Sequence, residues 1–140
     1  MAAYVLDTDV LVAALRSDSG ASRWVLQAAR ARRFVLLLSV PLMLEYEAVL
    51  TRPEQLAACK TSKEDVSAVL DELAWIAKRV EMTIRLRPML PDPNDEMVLE
   101  TAINGQADAI VTFNVRDFAG AAARFGCSVL RPAQVVSTMI

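Results

Sequence analysis

Short apolar segments alternate with longer helical segments along the 140 residues of this chain. Residues 4–6 and 34–38 are continuous apolar runs of strand length, which indicates strands buried on both faces. The segments between such runs carry apolar residues at helical spacing. Strands that alternate with helices predict an α/β fold with a central, mainly parallel sheet. This pattern leaves the order of the strands open.

Five strands and the intervening helices can be assigned in this way within one predicted domain, residues 1–140. The predicted strands are residues 4–6, 34–38, 80–86, 109–112 and 128–130. The predicted helices are residues 10–15, 21–33, 41–51, 66–77, 95–104 and 118–125, followed by one that begins at Pro132. Thr61 and Glu64 have capping-box spacing, and Gly105 is expected to end its helix.

The composition excludes several kinds of chemistry. The chain has no histidine, which rules out Ser-His and Cys-His nucleophiles and histidine-based metal sites. Cys59 and Cys127 are far apart and are expected to be buried thiols. A net charge of −2 argues against tight non-specific duplex binding but allows a local basic groove.

Hydrophobic residues make up 54% of the chain, yet no apolar run approaches the roughly 18 residues needed to span a bilayer. No basic segment precedes an apolar run at the start, so no signal peptide is predicted. We therefore expect a cytoplasmic protein that does not enter a membrane. The excess of apolar residues predicts surface that is covered in a homodimer or by a protein partner.

Several polar residues lie where functional residues are expected in such a fold. Asp7 follows the first strand, and Thr112, Asn114 and Asp117 follow the fourth, at the strand ends where open α/β sheets bind ligands. Asp95 begins a helix. Each has a structural alternative: Asp7 and Asp95 as helix caps or dipole partners, and the others as turn residues.

A further carboxylate occurs within a mostly apolar helical segment. Glu45 is at helical spacing from Leu42 and Val49, but Glu47 is also flanked by apolar residues. Periodicity does not separate the two, and a glutamate that extends to solvent is the structural alternative.

Acidic residues gathered at one sheet edge would need a cation. Two like charges about 4 Å apart repel by roughly 4 kcal/mol at an effective dielectric constant near 20. With only oxygen donors and no histidine, that cation would be Mg²⁺ or Mn²⁺. Such a site indicates phosphoryl-transfer chemistry.

Four segments, residues 4–15, 38–50, 92–102 and 107–118, resemble the successive motifs of the PIN domain family, in the family's order. The chain looks most like the small bacterial branch whose members are regarded as toxins of toxin–antitoxin modules. The resemblance implies a three-layer α/β/α fold with a five-stranded sheet and a metal-dependent endoribonuclease that hydrolyses RNA phosphodiester bonds. It also implies an antitoxin protein as partner.

The resemblance also implies roles for individual residues. The metal ligands would be Asp7, Glu45, Asp95 and Asp117, and the family position selects Glu45 over Glu47. Thr112 would position a water or a phosphate oxygen, and Asn114 would be a polar helper. Arg116, or the cluster Arg30, Arg32 and Arg33, would guide the phosphodiester backbone; the alternative for this cluster is a solvated helix end.

Two departures from the family pattern favour a second interpretation. Asp9 stands where the family usually has Asn, and Asn114 stands where many relatives have Asp. The chain would then be a PIN-like domain that has lost activity and acts through protein contacts. A third reading, an aspartyl phosphotransferase built on Asp7 and Asp9, lacks the later acidic pair that such folds require.

Overall fold

The computed structural model describes residues 1–85 and 89–140 and contains five strands, all paired in parallel. Their spatial order is β3-β2-β1-β4-β5. The bounds are β1 Ala3–Leu6, β2 Val35–Leu38, β3 Lys78–Arg79, β4 Ala109–Val111 and β5 Ser128–Leu130. The predicted α/β class and parallel sheet are confirmed.

Helices cover both faces of the sheet and give the predicted three-layer α/β/α arrangement. Eight helices lie within the described residues: α1 Thr8–Arg16, α2 Ala21–Arg30, α3 Val40–Leu50, α4 Pro53–Cys59, α5 Lys63–Ile76, α6 Pro93–Asn104, α7 Val115–Ala123 and α8 Pro132–Met139. None of them is long and apolar enough to cross a membrane.

The strand order creates a switch point between β1 and β4. The chain builds the sheet outward from β1 through β2 to β3, then returns to the other side of β1 to form β4 and β5. Connections therefore leave β1 and β4 in opposite directions and open a crevice at their carboxyl ends. Leu6 is paired with Val111, so the residues that follow these two strands begin side by side.

The sheet centre is fully buried, as the apolar runs predict. Val5, Leu6, Ile110 and Val111 have no exposed surface, and helix residues such as Leu42 and Leu99 pack over them without exposure. Burial of a side chain of this size contributes roughly 1.5–3 kcal/mol relative to its exposure. The core therefore holds β1 and β4 firmly in the register that sets up the crevice.

The predicted third strand is wrong in its bounds. β3 is only Lys78–Arg79, and its pairing with β2 ends where the Val80 N–H donates to the Leu38 carbonyl at 2.9 Å. Beyond it, the backbone at Thr83 and Ile84 is bonded to the Asn104 side chain instead of to a strand. Leu86, the last residue of the predicted strand, lies outside the described residues.

Several helix ends also differ from the predictions. Pro53 starts α4, a helix that the patterns missed. Ser62 caps α5, one residue after the expected Thr61. Asp92 caps α6, which leaves the Asp95 side chain free of that task. Of the two cysteines, Cys127 is buried as predicted and Cys59 is half-buried.

Gly105 ends α6, but not through a left-handed backbone: its φ is −89°, and Gln106 has the positive φ. A Cβ at Gly105 would lie 2.9 Å from Val80 Cγ2 and 3.0 Å from Leu37 Cδ1. The glycine therefore allows the end of α6 to approach the edge of the sheet.

We expect Gly105→Ala to lower the free energy of unfolding by about 1–3 kcal/mol, because buried side chains must move to admit the methyl group. Gly120→Ala is the matched control, since Gly120 is exposed in α7 and its Cβ would meet nothing within 4 Å. That change should stabilise by about 0.5–1 kcal/mol through helix propensity. Urea denaturation measures both, and an equal effect of the two substitutions would contradict the close approach.

Candidate active site

A cleft of about 260 Å³ opens at the carboxyl ends of β1 and β4. Most of the described residues that line it are acidic or amide: Asp7, Thr8, Asp9, Val12, Glu45, Val49, Arg52, Asp92, Asn94, Asp95 and Asn114. The cleft thus brings together Asp7, Glu45, Asp95 and Asn114 among the residues predicted from sequence. It excludes Glu47, which is exposed on the same helix as Glu45.

Asp7 and Thr112 meet because the strands that precede them are in register. The Asp7 N–H extends the β1–β4 ladder by donating to the Val111 carbonyl at 2.9 Å. The Thr112 hydroxyl, fully buried, donates to Asp7 Oδ2 at 2.7 Å. Its oxygen accepts the Asn114 N–H at 2.9 Å, so this hydroxyl is occupied on both sides.

Asp7 is both a helix cap and a buried acid. Its Oδ1 accepts the Thr8 N–H at 2.8 Å at the start of α1, while the residue is only 6% exposed. Burial and, after it, the charge of Asp9 together raise the pKa of Asp7 from 3.8 to about 7. Asp7 can therefore be a helix cap and a candidate metal ligand at the same time.

Asp9 faces the same cleft, although it was not among the predicted site residues. Its Oδ2 accepts the Phe113 N–H at 3.2 Å and the Asn114 side-chain amide at 3.4 Å. Its Oδ1 is buried and has no hydrogen-bond partner within the described part of the chain. Burial raises the pKa of Asp9, and the hydrogen bond from Phe113 opposes this rise.

One face of α3 and its extension supplies a second side of the cleft. Glu45 and Val49 are spaced i and i+4 on α3, and Arg52 lines the same cleft from the extended link between α3 and α4. Arg52 is the basic residue among the described ones that line the cleft, and none of the ion pairs found there involves it. The sequence patterns did not indicate Arg52 as a site residue, because it lies in the link between two helices.

The first turn of α6 supplies a third side. Asp92 caps the helix through its Oδ1, which accepts the Asn94 N–H at 2.9 Å. Asp95 is nine-tenths buried. Burial raises the pKa of Asp95 to about 6, with further contributions from Asp7, Asp92 and other acids.

Asp117 and the arginines predicted to guide the backbone lie outside this lining. Asp117 is exposed in the first turn of α7, although its charge helps to raise the pKa of Asp95. Arg116 is exposed on the same helix. Arg30 is paired with Glu72 at 2.9 Å, and Arg33 stacks over Trp24 at the end of α2, ahead of β2 and thus at the opposite edge of the sheet.

Three hydrogen bonds made by buried hydroxyl groups connect the elements that carry the carboxylates. Thr112 links β4 to Asp7, as described. The Tyr46 hydroxyl donates to the Leu6 carbonyl, which ties α3 to the end of β1. Ser39 and Thr101 share a hydrogen bond of 2.7 Å between the start of α3 and α6. Polar groups buried in this way are satisfied by one another and fix the backbone positions around the cleft.

The donor set fits a hard divalent cation. The acidic and amide residues of the lining offer oxygen atoms as ligands. Asp9 Oδ1 has no hydrogen-bond partner among the described residues, and no hydrogen bond contributes to the raised pKa of Asp95. Across residues 1–85 and 89–140, no three acidic or thiol side chains lie close enough together to hold a metal ion by direct contact alone. Because Mg²⁺ keeps several waters in such sites, the cleft suits a hydrated ion held partly through water.

The comparisons agree with this architecture. The PIN domain family model matches residues 3–116, and the chain therefore belongs to the PIN domain family, whose members are generally nucleases. A search of curated proteins found no match.

Among solved structures, the chain is similar to one in the crystal structure of VapBC2 from Rickettsia felis bound to a DNA fragment from their promoter. The TM-score is 0.60 and the sequence identity 16%, over 92% of this chain and 98% of that one. At this identity the similarity supports the fold.

We expect Asp7→Asn to raise the free energy of unfolding by about 1–3 kcal/mol at pH 8 in buffer with EDTA. An unfolded chain ionises Asp7 near pH 3.8 and the folded chain near 7, so stability is lost as the pH rises between these values. The gain from the substitution should therefore be largest above pH 7 and small near pH 4.

Thermal unfolding from pH 4 to pH 8 measures this difference, with Asp71→Asn as the control because Asp71 is exposed on α5. If Asp7→Asn lowers the melting temperature at pH 8, the hydrogen bonds of the Asp7 carboxylate stabilise the fold by more than the burial of its charge destabilises it.

Proposed function

We propose that this chain is a metal-dependent endoribonuclease of the PIN domain family, acting as the toxin of a type II toxin–antitoxin module. The observation that carries the proposal is that Asp7, Glu45 and Asp95 line one cleft at the β1–β4 switch point. Two of these carboxylates are nine-tenths buried or more, with no ion pair to a described cation. Such an arrangement is costly for folding unless it serves a charged ligand.

Asp7, Glu45 and Asp95 would hold Mg²⁺ or Mn²⁺, partly through water. When bound, such a cation lowers the pKa of a water and neutralises charge that develops on a phosphate. Thr112 keeps the Asp7 carboxylate in place by donating to Oδ2, which leaves a fixed direction for its remaining lone pairs. Asp117, exposed beside Asp95, would act at the rim through its charge and through water.

Two further residues suit a single-stranded nucleic acid. Arg52 lines the cleft, and its guanidinium group can form paired hydrogen bonds with phosphate oxygens. Phe113, 42% exposed, follows Thr112 directly, and its ring can stack on an unpaired base. A guanidinium group and an exposed aromatic ring beside the cleft favour a flexible single strand over a rigid duplex as the ligand.

Apolar surface on α3 and α5 supports the proposed protein partners. Val40 and Leu44 on α3 are 52% and 60% exposed, and Trp75 on α5 is 83% exposed. These two helices pack against each other. An antitoxin and a second copy of the chain remain predictions that this surface favours.

We expect the purified protein to cleave end-labelled single-stranded RNA in MnCl2 or MgCl2 and to stop when EDTA is added. Asp7→Asn and Asp95→Asn should each reduce the rate by about a hundredfold or more, because each removes a ligand charge. Asp71→Asn should cleave like the wild type. Gel analysis of cleavage over time measures these rates.

Three outcomes would separate the alternatives. Cleavage that persists in Asp7→Asn would indicate a contaminating nuclease and refute the assignment. Preferential cleavage of a single-stranded DNA of the same sequence would indicate that the substrate is DNA and not RNA. Absence of cleavage, together with tight binding of a protein partner, would favour the domain that has lost activity.

We expect Arg52→Gln to raise the KM for RNA about tenfold with a smaller effect on kcat, because Arg52 would contact phosphate rather than the reacting water. The Arg52 backbone is fixed independently of its side chain: its carbonyl accepts the Gln55 N–H, and buried Gln55 is held by Arg16. Arg52→Lys should restore part of the affinity.

Arg124→Gln is the matched control, since Arg124 is exposed at the end of α7 and lies outside the cleft lining. Equal KM values for Arg52→Gln and Arg124→Gln would exclude a specific phosphate contact at Arg52.

A further inference from the structure

Asp9 occupies a place in the cleft that a capping residue would not need. It is the second residue of α1, and the start of this helix is already capped by Asp7. Its side chain lines the cleft together with Asp7 and Asp95. An acid in a first turn gains some stability from the helix dipole wherever it points, so the dipole does not explain this orientation.

The two oxygens of Asp9 have different surroundings. Oδ2 is held by the Phe113 N–H and by the Asn114 amide, both from the loop after β4. Thr112 Oγ1 lies 3.5 Å from Oδ2 but 2.7 Å from Asp7, so its single proton belongs to Asp7. Oδ1 is buried and has no partner among the described residues. One oxygen is therefore oriented by hydrogen bonds from the protein, while the other is buried with its hydrogen-bonding capacity unused.

Asn114 explains why the carboxylate can stand at position 9. Its side-chain amide donates toward Asp9, whereas an aspartate at 114 would direct a second negative charge at the same oxygen. The contact between the side chains at positions 9 and 114 can therefore accommodate one carboxylate, at either position. In this chain the carboxylate is on α1 and the neutral amide is on the loop.

On the basis of the proposed metal-dependent function, we propose that Asp9 is a further ligand of the divalent cation, with Asn114 as its positioning residue. Asp9 Oδ1 supplies the ligand atom, and the Asn114 amide fixes the carboxylate through Oδ2. The two departures from the family pattern are then linked: the carboxylate stands at position 9 instead of position 114, and the amide stands at position 114 instead of position 9. They preserve the acidic character of the cleft.

Calorimetric titration with MnCl2 alone, in the absence of RNA, tests this inference. We expect Asp9→Asn to weaken Mn²⁺ binding about tenfold or more, because affinity depends on the number of charged ligands. Asp71→Asn, an exposed acid on α5, should bind like the wild type. The double variant Asp9→Asn with Asn114→Asp moves the carboxylate to the other side of the contact and should recover most of the affinity.

The melting temperature in EDTA provides a second readout. Without its cation, a carboxylate ligand beside other acids destabilises the fold by charge repulsion and burial. Asp9→Asn should therefore be at least as stable as the wild type in EDTA. Mn²⁺ should then raise the melting temperature of the wild type more than that of the variant. A purely structural role for Asp9 predicts the reverse: lower stability in EDTA and unchanged Mn²⁺ affinity.

The outcomes distinguish this inference from the proposed function. If the wild type binds no Mn²⁺, the metal-dependent function fails and Asp9 has no ion to bind. If the wild type binds Mn²⁺ and Asp9→Asn binds equally well, only the role of Asp9 is refuted. A double variant as weak as Asp9→Asn would refute the exchange between positions 9 and 114.

Discussion

The parallel pairing of β1 with β4 is the constraint on which the candidate site depends. Because Leu6 is in register with Val111, the next residues on the two strands, Asp7 and Thr112, emerge together at the sheet edge. Their hydrogen bond of 2.7 Å then fixes a carboxylate in a place where the core has removed most of the water. A shift of the register by one residue would separate the pair and move the core side chains of the strand to the opposite face of the sheet, where they would have to pack against the other helix layer.

This arrangement concentrates negative charge where the fold tolerates it least. Burial raises the pKa of Asp7 and Asp95, and neighbouring acids add to both shifts. The described residues offer Arg52 as the basic group in the lining, and it is exposed rather than paired with these acids. The stability that the core contributes is therefore partly offset at the cleft, as expected where a binding site is built from groups that a stable core would exclude.

Much of this fold could be predicted from the sequence, because buried strands and amphipathic helices leave strong local patterns. The positions of Asp7, Glu45 and Asp95 followed from those patterns and from the family motifs. The edge strand could not be predicted: residues 80–85 alternate like a strand, but Asn104 takes the backbone bonds that a neighbouring strand would have made. The orientation of Asp9 was equally hidden, since it depends on a contact with Asn114, 105 residues away.

The groups that hold the cleft together are hydroxyls, those of Thr112, Tyr46 and the Ser39–Thr101 pair. Burial and the charge of Asp7 raise the pKa of Tyr46 well above its usual value of 10, so this phenol stays neutral as well. None of these links is an ion pair, and dissolved salt weakens exposed ion pairs far more than buried hydrogen bonds. The frame should therefore keep its dimensions over the range of ionic strength in which the carboxylates of the cleft exchange ions.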